Sequence, residues 1–534
     1  MVYEGKPSTG CYPCRKRKIR CDEARPNCRH CYVYGRPCPG YRSDAIFRNE
    51  SRKFERLAKK DASSGSSDSS SSNSSPPKRQ AQPPARPPQA SALAVYRVAD
   101  PTWEHRALCY FFDQYTTPAE DEGGVAHLEY ITSLYARYGE GSPRAEVSPS
   151  ACLRWAVNAT ALVTLAHVAH APPLMIKARQ GYGKAVRSLR AALASPDQVA
   201  NDETYASVVL LSLFEDITGE RDGLFGSHTA GLELLTKLRG ESQLRHQLGR
   251  EMFIFAWAQI VVEILALGGK TRCNFDWAMG MLDENDPVES LMLATTRLCQ
   301  LFISLQSAPN PPDQATLESW IAACQESDFE LSQWTLYLPD HWLPLVVYSA
   351  KGEPLLTSHR ISNAVIRGCY RAVRVILQQQ LLNLNHTLIS INQKNQQSGD
   401  PAPVEGKFDE KSVRSVIREM IPDMCRSMPF WLSDVDTLGR PKKPSDNWRP
   451  VRAAQAYGLL WPLWCMISCG MPTPAQMQQM STVLLRGGSS LGIKLALILA
   501  REAERIRGES GLSEIPVVGP KSSRNIMGDG VCTF

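Results

Sequence analysis

The chain is short of the marks that would assign it to nucleotide chemistry or to a membrane. No phosphate-binding loop and no dinucleotide fingerprint occur in its 534 residues. No stretch reaches the about 20 apolar residues that a spanning helix needs. The most apolar run, 252–267, carries Gln259 and Glu263 and is expected to be a buried core helix, because a charge in mid-membrane is costly. The opening MVYEGKPSTG has no apolar h-region, so no secretory signal is read and an intracellular chain is expected. Cys532 stands third from the end, where prenylation needs the fourth. Period-2 strand alternation is sparse, and no internal repeat of solenoid length is evident.

What the chain does have is an uneven charge. Residues 1–60 hold sixteen Lys+Arg and six Asp+Glu, a local charge of +10, while the rest of the chain carries −4. A basic head on a near-neutral body is the electrostatic footprint of a nucleic-acid binder. Within that head stand Cys11, Cys14, Cys21, Cys28, Cys31 and Cys38, spaced C-x2-C-x6-C twice with a shift of seventeen positions. Disulfides rarely persist inside cells, so clustered cysteines there point to metal. Zinc takes four ligands. Six thiolates fill two four-coordinate sites only if two sulfurs bridge both metals, which predicts one closed, structural two-zinc cluster. A peptide this small has almost no apolar core, so metal binding and folding are expected to be one event. The other ten cysteines are scattered and read as small buried hydrophobes.

The two halves differ in cargo. Five of the six residues between Cys14 and Cys21 are cationic, against one of six between Cys31 and Cys38. A helical turn over Arg15, Lys16, Arg17, Lys18 and Arg20 would aim several cations at one surface, and an α-helix fits the DNA major groove. The first half is therefore expected to face DNA and the second to brace it.

The run Cys11-Tyr-Pro-Cys14-Arg15-Lys16-Arg17-Lys18-Ile19-Arg20-Cys21-Asp22 resembles the fungal zinc binuclear-cluster transcription factors, with Pro26 matching as well. The resemblance implies that Cys11 and Cys28 bridge the metals. It implies that Lys18, helped by Arg17, reads a CGG-type half-site, while Arg15 and Arg20 contact phosphates or balance the cluster charge. Phe214-Glu215 and His228-Thr-Ala-Gly231 resemble the fungus-specific helical regulatory domain of one large subgroup. Relatives often dimerise through a coiled coil just after the cluster. Here Ile46, Phe47, Phe54 and Leu57 give only a thin stripe, so a homodimer would form without a clear coiled coil.

The expected fold is all-α: a zinc binuclear-cluster DNA-binding domain with two short helices over 9–40, a basic helical extension over 41–62, a disordered Ser/Pro-rich linker over 63–92, a large multi-helix regulatory domain over 93–510 and a C-terminal tail over 511–534. Ten serines in 63–75 and the prolines of 76–91 cannot bury enough apolar surface to fold. Helix stops are read at Gly219 and Gly240, a cap at Asp202, and a long loop over 388–407. The expected function is a nuclear, sequence-specific regulator of RNA polymerase II genes, acting on double-stranded DNA with the transcription machinery and without a membrane; the resemblance implies control of one metabolic or secondary-metabolite gene cluster. One alternative is a lipid- or metabolite-responsive regulator acting through the helical domain. The other is an enzyme with a zinc targeting module. Gly488-Ser489-Ser490-Leu491-Gly492 fits the G-x-S-x-G elbow, but that elbow needs a strand before it and the preceding residues read as helix. His167 and His170 lack further ligands and read as packing or surface groups.

Overall fold

A computed structural model of the chain describes residues 11–24, 28–35, 38, 101–116, 128–136, 151–221, 224, 226–268, 275–307, 312–396, 408–442 and 451–509. The basic extension 41–62, the linker 63–92, the tail 511–534, Pro26, Cys273 and Cys532 lie outside the described residues. The chain divides into two units, Met1–Tyr96 and Arg97–Phe534.

Among its described residues the first unit has two five-residue helices, Tyr12–Lys16 and Arg29–Val33. Its buried residues, among those described, are Cys11, Cys14, Cys28 and Cys31, with Cys21 and Cys38 packed against them. Sulfur takes the place of an aliphatic core.

Among its described residues the second unit is all-α, apart from a small antiparallel hairpin pairing Leu345–Tyr348 with Pro354–Thr357. One continuous apolar core runs from Ala107 to Ala503. Helix Ala151–Val168 packs on Pro172–Leu193, Trp103–Tyr115 and Asp202–Thr218. The 36-residue helix Ile361–Gln396 packs on Gln314–Leu336, Glu410–Trp431 and Ala453–Ser468. Two helices, Ala151–Val168 and Pro287–Ser307, are long and apolar enough to cross a membrane by composition, with 61% and 56% of those windows buried inside the protein. The run 252–267 falls largely within helix Gln247–Leu265, which contributes Met252, Phe253, Trp257 and Ile260 to the core. Its Gln259 donates to the Tyr457 hydroxyl at 2.7 Å.

Gly219 and Gly240 end their helices as expected. Gly219 has φ 71°, a left-handed conformation that costs glycine little. Asp202 does not cap. Asn201 occupies the cap position, and the Asp202 carboxylate instead accepts from Arg239 Nη2 at 2.7 Å. The expected loop over 388–407 is also corrected, because the helix continues to Gln396. Leu388 is buried and Ile391 packs on the core, so the apolar face carries the helix through a polar stretch. Cys109 is exposed, against the expectation of burial, while Cys152, Cys299, Cys324, Cys425, Cys465 and Cys469 are buried.

Phe214-Glu215 and the His228 segment, joined by a short connection between two helices, meet in space. Glu215 accepts from the Tyr182 hydroxyl at 3.2 Å and lies 3.2 Å from His228 Nε2. Burial works to raise the Glu215 pKa, but hydrogen bonds from His228 and Ser227 outweigh it and hold the carboxyl below its usual range. At Asp216 the balance reverses. Full burial outweighs Arg221 and the Tyr457 hydroxyl, and the pKa rises. Ser490 ends helix Pro474–Ser490, so a helix and not a strand precedes Gly492. His167 Nδ1 donates to the Gly492 carbonyl at 2.7 Å, and His170 is exposed.

Candidate metal centre and nucleic-acid interface

Each half of the cysteine repeat places its first two sulfurs at one short helix. Cys11 immediately precedes Tyr12–Lys16 and Cys14 lies within it. Cys28 is the N-cap of Arg29–Val33, its Sγ accepting from the Cys31 backbone N–H at 3.3 Å. The cage therefore doubles as the cap of the second helix.

The sulfurs form two sets of four, Cys11, Cys14, Cys21 and Cys28, and Cys11, Cys28, Cys31 and Cys38, each with all members within 4.8 Å. Both sets contain Cys11 and Cys28. The Sγ separations Cys11–Cys28, Cys11–Cys31 and Cys14–Cys28 are 3.6, 3.7 and 3.7 Å. A disulfide needs about 2.05 Å. A tetrahedron with Zn–S of about 2.3 Å has an edge of about 3.8 Å, so the spacing fits ligands around a metal. The donor chemistry fits as well. Burial first, and then neighbouring sulfurs, push the Cys14 thiol up and the Cys31 thiol up to about 12. Thiolates at this density need divalent cations beside them.

The cationic run leaves this cage on an exposed surface. The helix covers Arg15 and Lys16 and stops there, so the expected helical turn spans only the start of the run. Lys18 has φ 55°, and the Ile19 N–H bonds back to the Cys14 carbonyl at 3.1 Å. That is the closing bond of a Schellman-type helix end, with lysine in the place glycine usually takes. The chain must turn there to bring Cys21 back to the cage. Lys16, Arg17, Lys18 and Arg20 are all exposed.

Two contacts between the halves were not legible in the sequence. The Arg17 guanidinium carbon lies 3.7 Å from the centre of the Tyr34 ring, a cation–π contact. The Asp22 carboxylate accepts from the Arg29 N–H at 3.3 and 3.0 Å, where a helix N-terminus favours negative charge. Both link one half of the repeat to the other, and the folded cage brings them together.

Residues 9–45 match the family described as the fungal Zn(2)-Cys(6) binuclear cluster domain. This segment is a fungal binuclear-cluster domain. It binds two zinc ions, and the two overlapping sets of four sulfurs are the arrangement that accommodates them. The domain is similar to part of an aspercryptin biosynthesis cluster-specific transcription regulator of Emericella nidulans, 50% identical over 38 residues, which are 7% of this chain and 6% of that relative. It is also similar to a Zn(2)-C6 fungal-type transcription factor of Aspergillus fumigatus, 54% identical over 33 residues, 6% of this chain and 9% of the relative. An uncharacterized Emericella nidulans protein is 31% identical over 107 residues, 20% of this chain. The chain spans 23% or less of the length of each of these curated relatives. No solved structure matches the chain.

Proposed function

We propose that the protein is a nuclear, sequence-specific DNA-binding regulator of RNA polymerase II transcription. The observation that carries this reading is the junction of two four-sulfur sets with an exposed run of cations at Lys16–Lys18 and Arg20. All six cysteines act as zinc ligands, with Cys11 and Cys28 as the bridges. Zinc supplies structure, and this chain's own side chains supply recognition. Lys18, held at a tight helix end, and Arg17, braced by Tyr34, donate to guanine O6 and N7 of a CGG-type half-site. Arg15 and Arg20 contact phosphates or offset the cluster charge. Residues 9–40 act as the DNA-binding domain and 93–510 as a non-enzymatic regulatory domain. The name of the aspercryptin cluster-specific relative supports control of a single pathway's genes, and homodimerisation would pair two half-sites.

The test is fluorescence anisotropy with a CGG-containing duplex and a scrambled one, with and without a zinc chelator. Tight, salt-sensitive, CGG-dependent binding that disappears on chelation is expected. Binding that survives replacement of Cys14 and Cys31 by alanine would sink the proposal.

A further inference from the structure

Helix Ile361–Gln396 treats its arginines in two different ways. Arg374 is satisfied: Nε and Nη2 donate to Asp328 at 2.7 and 3.2 Å, and Nη1 donates to the Tyr370 hydroxyl at 3.0 Å. Arg367 and Arg371, one turn apart, are each only 5% exposed. Neither forms an ion pair among the described residues. Arg367 Nη2 reaches the Thr357 carbonyl at 3.4 Å and the Ser358 hydroxyl. Arg367 Nε and Nη1, Arg371 Nη1 and Gln378 Nε2 have no partner. Positions 367, 371 and 378 share one face of the helix.

The nearby acid is Asp423 on helix Glu410–Trp431, whose field reaches both arginines. Its carboxylate is already bonded to Arg426 at 3.1 Å. Burial, and then the neighbouring Arg371, pull Arg367 down to about 9, which still leaves it charged at neutral pH. Two buried like charges that share a single carboxylate, itself engaged by Arg426, and form no direct ion pair with it are unfavourable. Every orphan on this stripe is a donor. Water could satisfy the hydrogen bonds but not the charge, whereas an oxyanion satisfies both, in the forked geometry that guanidinium favours.

We propose that Arg367 and Arg371 form an oxyanion-binding site inside the helical unit, taking the carboxylate or phosphate group of a small anionic ligand. The helical rise sets the two residues about 6 Å apart along the axis, close enough for one oxyanion to bridge them. Gln378 offers a further donor along the same stripe. Trp431 walls the intervening Gly368, where a Cβ would come within 2.3 Å of the indole. The site is independent of the DNA-binding reading, because its readout lies in the helical unit and its failure leaves the duplex-binding assay unaffected.

The test uses the full zinc-loaded chain. Thermal unfolding and tryptophan fluorescence are titrated with inorganic phosphate and, separately, with citrate, against chloride at matched ionic strength. A saturable rise in melting temperature with at least one anion is expected, and which anion produces it distinguishes a phosphoryl from a carboxylate ligand. Arg371→Met should abolish the rise while melting no lower than the parent in chloride. Arg371→Lys, which keeps the charge without the fork, should weaken the response at least tenfold. Arg374→Met should melt lower and keep the response. No saturable response to either anion in the parent protein overturns the proposal, as does an unchanged response in Arg371→Met or Arg371→Lys. Should Arg371→Met not fold, the parent titration and Arg371→Lys decide.

Discussion

The two units stand at opposite ends of a scale of self-sufficiency. In the first, the interior is sulfur, and the residues that would build a core elsewhere face outward: Tyr32, Val33 and Tyr34 are 81%, 77% and 59% exposed. In the second, Phe111, Tyr115, Tyr205, Phe214, Phe253 and Trp431 are fully buried in one continuous core. The cage is held by ligand bonds and folds with its metal. The helical unit is held by apolar burial. Each should fail under a stress that the other withstands.

The sharpest way to break this contrast is to remove the metal. Zinc binding to small structural sites is worth about 10–16 kcal/mol, so a chelator should abolish DNA binding while leaving the main calorimetric transition in place. Cys28→Ser cuts into both sulfur sets and should lose both zinc ions by native mass spectrometry. Cys38→Ser touches one set and should retain one ion in part of the population. The converse stress is Trp431→Ala. That indole is fully buried and donates to the Gln455 carbonyl at 3.0 Å. Its loss should cost about 3–5 kcal/mol in denaturant unfolding of the helical unit, with zinc content unchanged.

Smaller effects sharpen the picture within the cage. Lys18→Ala should weaken binding to a CGG duplex by about 1–3 kcal/mol and relax discrimination against altered bases, with both zinc ions still bound. Equal losses on CGG and scrambled duplexes would make Lys18 a phosphate contact. Asp22→Ala removes the carboxylate at the Arg29 N–H and should cost about 1 kcal/mol, measured as weaker zinc retention in a chelator competition.

The units also differ in how far sequence reached. The metal cage is legible because its information is local: six cysteines at this spacing mark a metal-binding cluster, and the charge of the Arg15–Arg20 run needs no fold to be counted. Helix ends at Gly219 and Gly240 were legible for the same reason. What failed was set by partners remote in sequence. Asp202 reads as a cap, but its carboxylate is taken by Arg239. Residues 388–396 read as loop because their composition is polar, yet the core contacts of Leu388 and Ile391 hold them helical. Arg17 on Tyr34 and Asp22 at Arg29 exist only once the cage has closed. The burial of Arg367 and Arg371 leaves no mark on a one-dimensional pattern, because arginine is ordinarily a surface residue.

The most direct test of the central claim is a zinc titration of the metal-free full chain, followed at once by native mass and by anisotropy of a labelled CGG duplex. DNA binding should appear only as the species with two zinc ions accumulates. Full binding by the metal-free chain, or saturation at a single zinc ion, would contradict it.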